Sequence, residues 1–204
     1  MARRSTIASR GTLLETLRDS GALKEGHFVL SSGRHSDQYI EKFDLLRQPA
    51  ATSEVCRLIA DRFRGREINV VVGPTTGGVI LAFEVARQLG VAAAYAERST
   101  NSESSREFRR GTAFPSGARV LVVDDILTTG GSLRETLDAL AAHPVEIAGV
   151  AVLVDRSGGG TDLGVPYVAL ATMTIESWDA AECPLCRRGE PIVRPGTTPG
   201  AGLR

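Results

Sequence analysis

From Ile68 onward the chain alternates short apolar runs with amphipathic stretches, and that rhythm constrains the fold more than anything else in it. Ile68–Val72, Val91–Ala96, Val120–Val123, Glu146–Val154 and Tyr167–Ala171 read as strands, while Gly78–Leu89 and Ser132–Ala142 read as helices between them. A strand that reaches its neighbour through a helix must run parallel to it, so the pattern predicts right-handed crossovers and a mostly parallel sheet. In such a sheet ligands bind beyond the carboxyl ends of the strands. The loops that follow strands are therefore where chemistry is expected.

The preceding residues have a different texture. Thr12–Ser20 reads as a short helix with Leu13, Leu14 and Leu17 on one face, ended by Gly21. Gly26–Ile40 alternates and predicts a hairpin turning at Ser32-Gly33. Pro49 opens a helix to about Arg64, striped by Val55, Leu58, Ile59 and Phe63. The polar segment Ser99–Arg110 predicts a mobile loop, at about 98–111. Residues 1–11 are expected to be flexible and the Gly/Pro/Thr-rich tail 194–204 disordered, which leaves 12–193 as a single domain.

Charge excludes some functions. With 24 basic and 24 acidic side chains in 204 residues the formal net charge is zero, against a nucleic-acid-coating or polybasic membrane-surface protein. No apolar run approaches the roughly 20 residues of a membrane helix. Arg3, Arg4 and Arg10 faintly resemble an organelle presequence but lack a secretory apolar core, and a short frayed N-terminus is expected. Three cysteines without a signal peptide favour a reducing cytoplasm over a disulfide framework. Lysine occurs only at Lys24 and Lys42; the other basic residues are arginine.

The strongest motif is Val120-Leu-Val-Val-Asp-Asp-Ile-Leu-Thr-Thr-Gly-Gly-Ser132. A buried strand brings Asp124 and Asp125 to its carboxyl end, and Ile126, Leu127, Thr128, Thr129, Gly130, Gly131 and Ser132 lead into the next helix. Outward-pointing amides, the helix dipole and glycines that permit close approach make a phosphate cradle. Acids beside such a cradle demand a ligand that also carries hydroxyls or a metal. A sugar phosphate meets both demands, whereas a plain N-cap turn would leave the acids merely solvated.

This string resembles the PRPP-binding signature of type I phosphoribosyltransferases. Gly26-His-Phe-Val-Leu-Ser-Ser-Gly-Arg-His-Ser36, Val71-Val-Gly-Pro-Thr-Thr-Gly-Gly78 and Val154-Asp-Arg156 resemble the orotate branch in order and spacing, over roughly Leu13 to Gly196. The resemblance implies an α/β fold with a mostly parallel central sheet flanked by helices and a small N-terminal hood at about 12–45. It implies transfer of phosphoribosyl from PRPP to orotate in pyrimidine biosynthesis, with Mg²⁺ carried on the pyrophosphate, in a cytoplasmic homodimer with shared active sites. PRPP would be held by Arg98, Thr76, Gly77, Asp124, Asp125 and the turn Ile126–Ser132, with Asp124, Asp125 and Arg98 catalytic. Thr128 and Arg156 match orotate-contacting positions, and a guanidinium fork suits the orotate carboxylate. Arg106, Arg109 and Arg110 are further loop candidates.

The chain also departs from that family. Many orotate enzymes carry lysine at the positions of Ser31 and Gly77, and lysines and a histidine in the mobile loop, where this chain offers Ser99 and Ser102. Lys42 is the candidate replacement cation. These losses keep two alternatives open, a transferase for another base and a catalytically weak PRPP-binding regulator. The second would need a nucleic-acid surface that the short N-terminus and zero net charge do not supply. Cys183-Pro-Leu-Cys186 has metal-clip spacing, yet a structural zinc site needs four ligands and the histidines are scattered along the chain. Unless a dimer supplies a second pair, ordinary thiols and no metal site are expected.

Overall fold

A computed structural model describes residues 10–30, 32–100 and 105–195. Ser31, Ser102, most of the expected flexible N-terminus and nearly all of the expected disordered tail lie outside the described residues.

Five strands form the parallel body of the central sheet: β3 (Val70–Pro74), β4 (Ala92–Arg98), β6 (Ala118–Leu127), β7 (Val145–Asp155) and β8 (Tyr167–Thr172). A two-residue strand, β5 (Arg106–Glu107), adds antiparallel to the end of β4. The order is β5-β4-β3-β6-β7-β8. After β3 the chain steps outward to β4 and then returns to the other side of β3 as β6. The loops after β3 and β6 therefore meet at the point where strand order reverses, where parallel sheets form their ligand crevice.

The uninterrupted apolar runs follow from cover on both faces. Leu121 and Val123 join one core with α1 (Arg10–Asp19), α3 (Pro49–Phe63) and α4 (Gly77–Leu89). Val120 and Val122 face the other way, into a core with Leu133 and Leu140 of α5 (Gly131–Ala141). The expected α3 stripe is buried throughout, and Phe63 is only 1% exposed. Its truncation to alanine would cost about 3–5 kcal/mol. Pro49 starts α3 at its first turn, where a missing N–H costs nothing, and Gly90 ends α4 in the left-handed conformation.

The expected hairpin is present as β1 (Leu23–Val29) and β2 (His35–Ile40), paired antiparallel from Leu23 opposite Ile40 to Val29 opposite His35. A bulge between Glu25 and Phe28 shifts its register. The chain's end returns through α6 (Pro184–Arg187) to β9 (Ile192–Val193), which pairs parallel with β1 and makes the hood a three-stranded sheet. A short helix, α2 (Lys42–Leu46), leaves the hood toward the main sheet. Strand β6 runs past its expected end at Val123 because pairing with β7 continues to Leu127 opposite Asp155. Asp124 and Asp125 thus belong to the sheet itself.

Candidate active site

Strand β6 buries both carboxylates at its end: Asp124 is 7% exposed and Asp125 is 3% exposed. Asp124 Oδ1 accepts from the Asp125 amide at 2.9 Å, and Asp125 Oδ1 accepts from the Ile126 amide at 2.8 Å. Burial, and next the neighbouring Asp125 charge, push the Asp124 carboxyl up to about 7, against the pull of the Asp125 amide, Lys42 and Arg106. Lys42, the first residue of α2, sets its ammonium 3.1 Å from Asp125 Oδ1 and 2.9 Å from Oδ2. One of the chain's two lysines therefore enters the acidic site.

The turn after β6 is braced from outside. The Thr128 carbonyl accepts from the Thr161 hydroxyl at 3.1 Å and the Thr129 carbonyl from Arg134 at 2.6 Å. Gly130 caps α5 at φ +81°, a left-handed conformation that L side chains rarely adopt. These bonds turn carbonyls away from the crevice and leave Thr128 and Thr129 exposed beside the N-terminus of α5.

Across from that turn lies the loop after β3. Thr76 is exposed, and Gly77 is buried against the acid pair. A Cβ at Gly77 would sit 1.9 Å from Asp125 Oδ2, so close approach demands glycine there. The two loops are tied together by Arg106, which is 6% exposed. Its guanidinium donates to the Thr75 hydroxyl at 3.1 Å, the Ala96 carbonyl at 3.2 Å and the Ser132 hydroxyl at 3.4 Å, with Glu135 at 3.1 Å as counter-ion. Arg106 thus braces the site from behind. Just past β5, Arg109 pairs with Glu107 of β5 and Arg110 with Glu97 of β4.

Arg156 follows β7 and is held by backbone, its amide donating to the Leu127 carbonyl at 2.8 Å. Its side chain is half-buried, its Nε has no hydrogen-bond partner, and burial holds the guanidinium below its usual range. The preceding Asp155 fixes this corner by accepting from the Ser157 amide at 2.7 Å and the Tyr167 hydroxyl at 2.7 Å. Burial would raise the Asp155 pKa, but hydrogen bonding from the Ser157 side chain, Tyr167 and the Ser157 amide outweighs it and holds the carboxyl below its ordinary range.

These groups line one cleft of about 630 Å³, where Tyr39 and Lys42 face Thr76, Gly77, Asp124, Asp125, Thr128 and Arg156. A smaller adjoining cleft of about 220 Å³ is lined by Arg98 and the whole turn Ile126–Ser132. The nominated PRPP- and orotate-binding residues therefore gather around two joined spaces at the reversal point of the sheet, whereas the loop candidates Arg106, Arg109 and Arg110 line neither. Acids for hydroxyls, an amide-rich turn for phosphate and an arginine for an anionic partner lie within a single cavity system.

Known proteins resemble this chain over nearly its whole length. Residues 43–181 match the family model of the phosphoribosyl transferase domain. An orotate phosphoribosyltransferase from Caldicellulosiruptor bescii is 42% identical over 189 residues, covering 93% of this chain and 98% of the relative. The chain belongs to the orotate phosphoribosyltransferase family. A second orotate phosphoribosyltransferase, from Methylobacterium sp. (strain 4-46), is 45% identical over 193 residues, covering 92% of this chain and 97% of that one. The solved orotate phosphoribosyltransferase of Aeropyrum pernix superposes with a TM-score of 0.66 at 31% identity, covering 79% of this chain and 93% of that one. The type I phosphoribosyltransferase fold expected from the sequence is the fold observed.

Sequence reasoning missed several parts of the site. Asp155 stands in the Val154-Asp-Arg156 string without a role of its own, Tyr167 reads only as the start of a strand, and Arg134 is not singled out. One reading needs correction. His27 and His35, taken as too scattered to nominate as ligands, lie beside Cys183 and Cys186, with all four ligating atoms within 4.8 Å of one another. The hood hairpin and the returning chain end assemble that group.

Proposed function

We propose that this protein transfers the 5-phosphoribosyl group of PRPP to orotate, giving orotidine 5′-monophosphate and pyrophosphate. The observation that carries the reading is Arg156 facing the Asp124–Asp125 pair and the Thr128 turn across one cleft. The turn Leu127–Ser132 takes the 5-phosphate on its amides, and the two acids accept from the ribose hydroxyls. Thr76 and Gly77 present backbone to the pyrophosphate, and Arg156 with Thr128 orients the orotate carboxylate.

Cleavage of the C1–O bond builds positive charge on the ribose and negative charge on pyrophosphate. Placement and electrostatics supply the rate, and no covalent nucleophile is needed. The buried acids favour the cationic ribose, while Arg98 and Lys42 face the departing anion. Mg²⁺ enters with PRPP as part of the substrate and neutralises pyrophosphate charge.

We read the working unit as a homodimer. Phe83 on α4 is 65% exposed, and together with Ile80, Val79, Pro49 and Leu46 it lines an apolar surface. Such a surface suits a second copy of the chain. The free cysteines suit a reducing cytoplasm, and no helix among the described residues is long and apolar enough to cross a membrane. A panel of orotate, uracil, adenine and guanine, each with PRPP and Mg²⁺, tests the choice of base. Consumption of orotate alone is expected; consumption of another base would reassign Arg156.

A further inference from the structure

We propose that His27, His35, Cys183 and Cys186 bind a structural zinc ion that clamps the end of the chain to the hood. The site stands apart from the catalytic cleft and does not depend on the reaction assigned there. His27 lies on β1 and His35 on β2, while Cys183 caps the start of α6 and Cys186 lies within it. His27 is 2% exposed, His35 is 6% exposed and Cys183 is fully buried.

Three of the ligand-to-ligand distances match a tetrahedral ion. Zinc bonds of about 2.0–2.1 Å to nitrogen and about 2.3 Å to sulfur place tetrahedral N and S ligands roughly 3.5 Å apart, and two nitrogens roughly 3.3 Å apart. Cys183 Sγ lies 3.5 Å from His27 Nε2, Cys186 Sγ lies 3.7 Å from the same atom, and Cys186 Sγ lies 3.3 Å from His35 Nδ1. The two imidazole nitrogens approach to 2.8 Å, so a bound ion separates them by a few tenths of an ångström.

The surroundings point the same way. His27 Nδ1 lies 2.9 Å from the Glu190 carbonyl, a partner that can only accept, so Nδ1 holds the proton and Nε2 presents its lone pair to the site. A backbone carbonyl on the second ring nitrogen is the usual orienting contact of a metal-bound histidine. Two thiolates and a divalent ion sum to zero charge, which suits a buried position. The two-sulfur, two-nitrogen donor set selects zinc over the oxygen-loving magnesium of the substrate.

Such an ion would fix more than itself. Strand β9 adds to β1 just after the cysteines, and His35 exchanges backbone hydrogen bonds with Trp178 at 2.8 Å in each direction. From His35, strand β2 leads directly to Tyr39 and then to Lys42 in the catalytic cleft. The clamp therefore sets the base from which those two side chains reach the substrate.

Elemental analysis of the purified full-length protein is expected to find one zinc per chain. After chelation, Co²⁺ should produce the intense visible absorption of a tetrahedral thiolate site, with Cys183 and Cys186 shielded from thiol reagents. Cys186→Ser should lose the metal and melt several degrees lower, whereas His35→Cys should keep it because it retains a ligand. A protein that arrives without zinc but gives the tetrahedral cobalt spectrum supports the site. Absence of zinc together with a weak octahedral cobalt spectrum overturns it, and so does unchanged metal content in Cys186→Ser. Should that variant fail to fold, the cobalt titration of the unaltered protein decides.

Discussion

Lys42 Nζ lies 2.9 Å from Asp125 Oδ2, and a side chain on Gly77 would collide with that same oxygen. The two observations are one arrangement. Glycine at 77 leaves room beside the carboxylate, and the hood fills it with a lysine. Lys42→Ala is expected to lower kcat/KM for PRPP at least about tenfold, roughly 1.4 kcal/mol of transition-state stabilisation, with Lys42→Arg recovering part of it. Gly77→Lys, which places a side chain against Asp125, should lower activity further. Steady-state kinetics with varied PRPP checks both, and a gain in Gly77→Lys would show that the space is not as crowded as the structure has it.

Asp124 links activity to a cost in stability. Its carboxyl sits at about 7 in the folded chain, against 3.8 when unperturbed. The native state therefore holds a proton that the unfolded state has released between those values, so stability falls as pH rises through that window. Asp124→Asn removes the slope. Urea unfolding should find that variant more stable than the parent by about 1–3 kcal/mol near about pH 8 and equal to it near about pH 4. Turnover of Asp124→Asn with Asp125→Asn should drop at least about tenfold. In the parent, kcat/KM for PRPP should decline as pH falls through about 7.

Arg156 is aimed at one substrate only. Arg156→Ala should raise the orotate KM by about tenfold or more while the PRPP KM changes by less than about threefold. Tyr167→Phe, which loosens Asp155 without touching the cleft, should move the same constant less. Equal effects of Arg156→Ala on both substrates would remove it from the orotate subsite.

Arg106 acts through the loops it joins. Its replacement by leucine leaves Glu135 in a partly buried place without its counter-ion and should cost about 3–5 kcal/mol. Adding Glu135→Leu should restore much of that stability. PRPP affinity should stay impaired in the double variant, because Thr75 and Ser132 remain untied. Unfolding curves paired with PRPP titrations separate the two effects.

The main sheet was legible because its strands are buried on both faces. Val120 to Val123 alternate between two cores, so every residue is apolar, and Gly90 and Pro49 mark helix ends by backbone conformation alone. The acid pair and the glycine-rich turn were legible because they are contiguous. Short pieces were not: α2 has five residues and β5 two, too few to show a period. The histidine and cysteine cluster was hidden for another reason. His27 and Cys183 are 156 residues apart, and they meet where the returning chain end pairs with the hood through β9 and through Trp178. Pairing across that distance leaves no local mark.

The most direct test of the catalytic assignment is a single stoichiometry. Purified protein supplied with PRPP, Mg²⁺ and orotate should release one pyrophosphate for each orotidine 5′-monophosphate formed, with no release when orotate is omitted. Pyrophosphate released without loss of orotate, or tight PRPP binding with no product, would contradict the account.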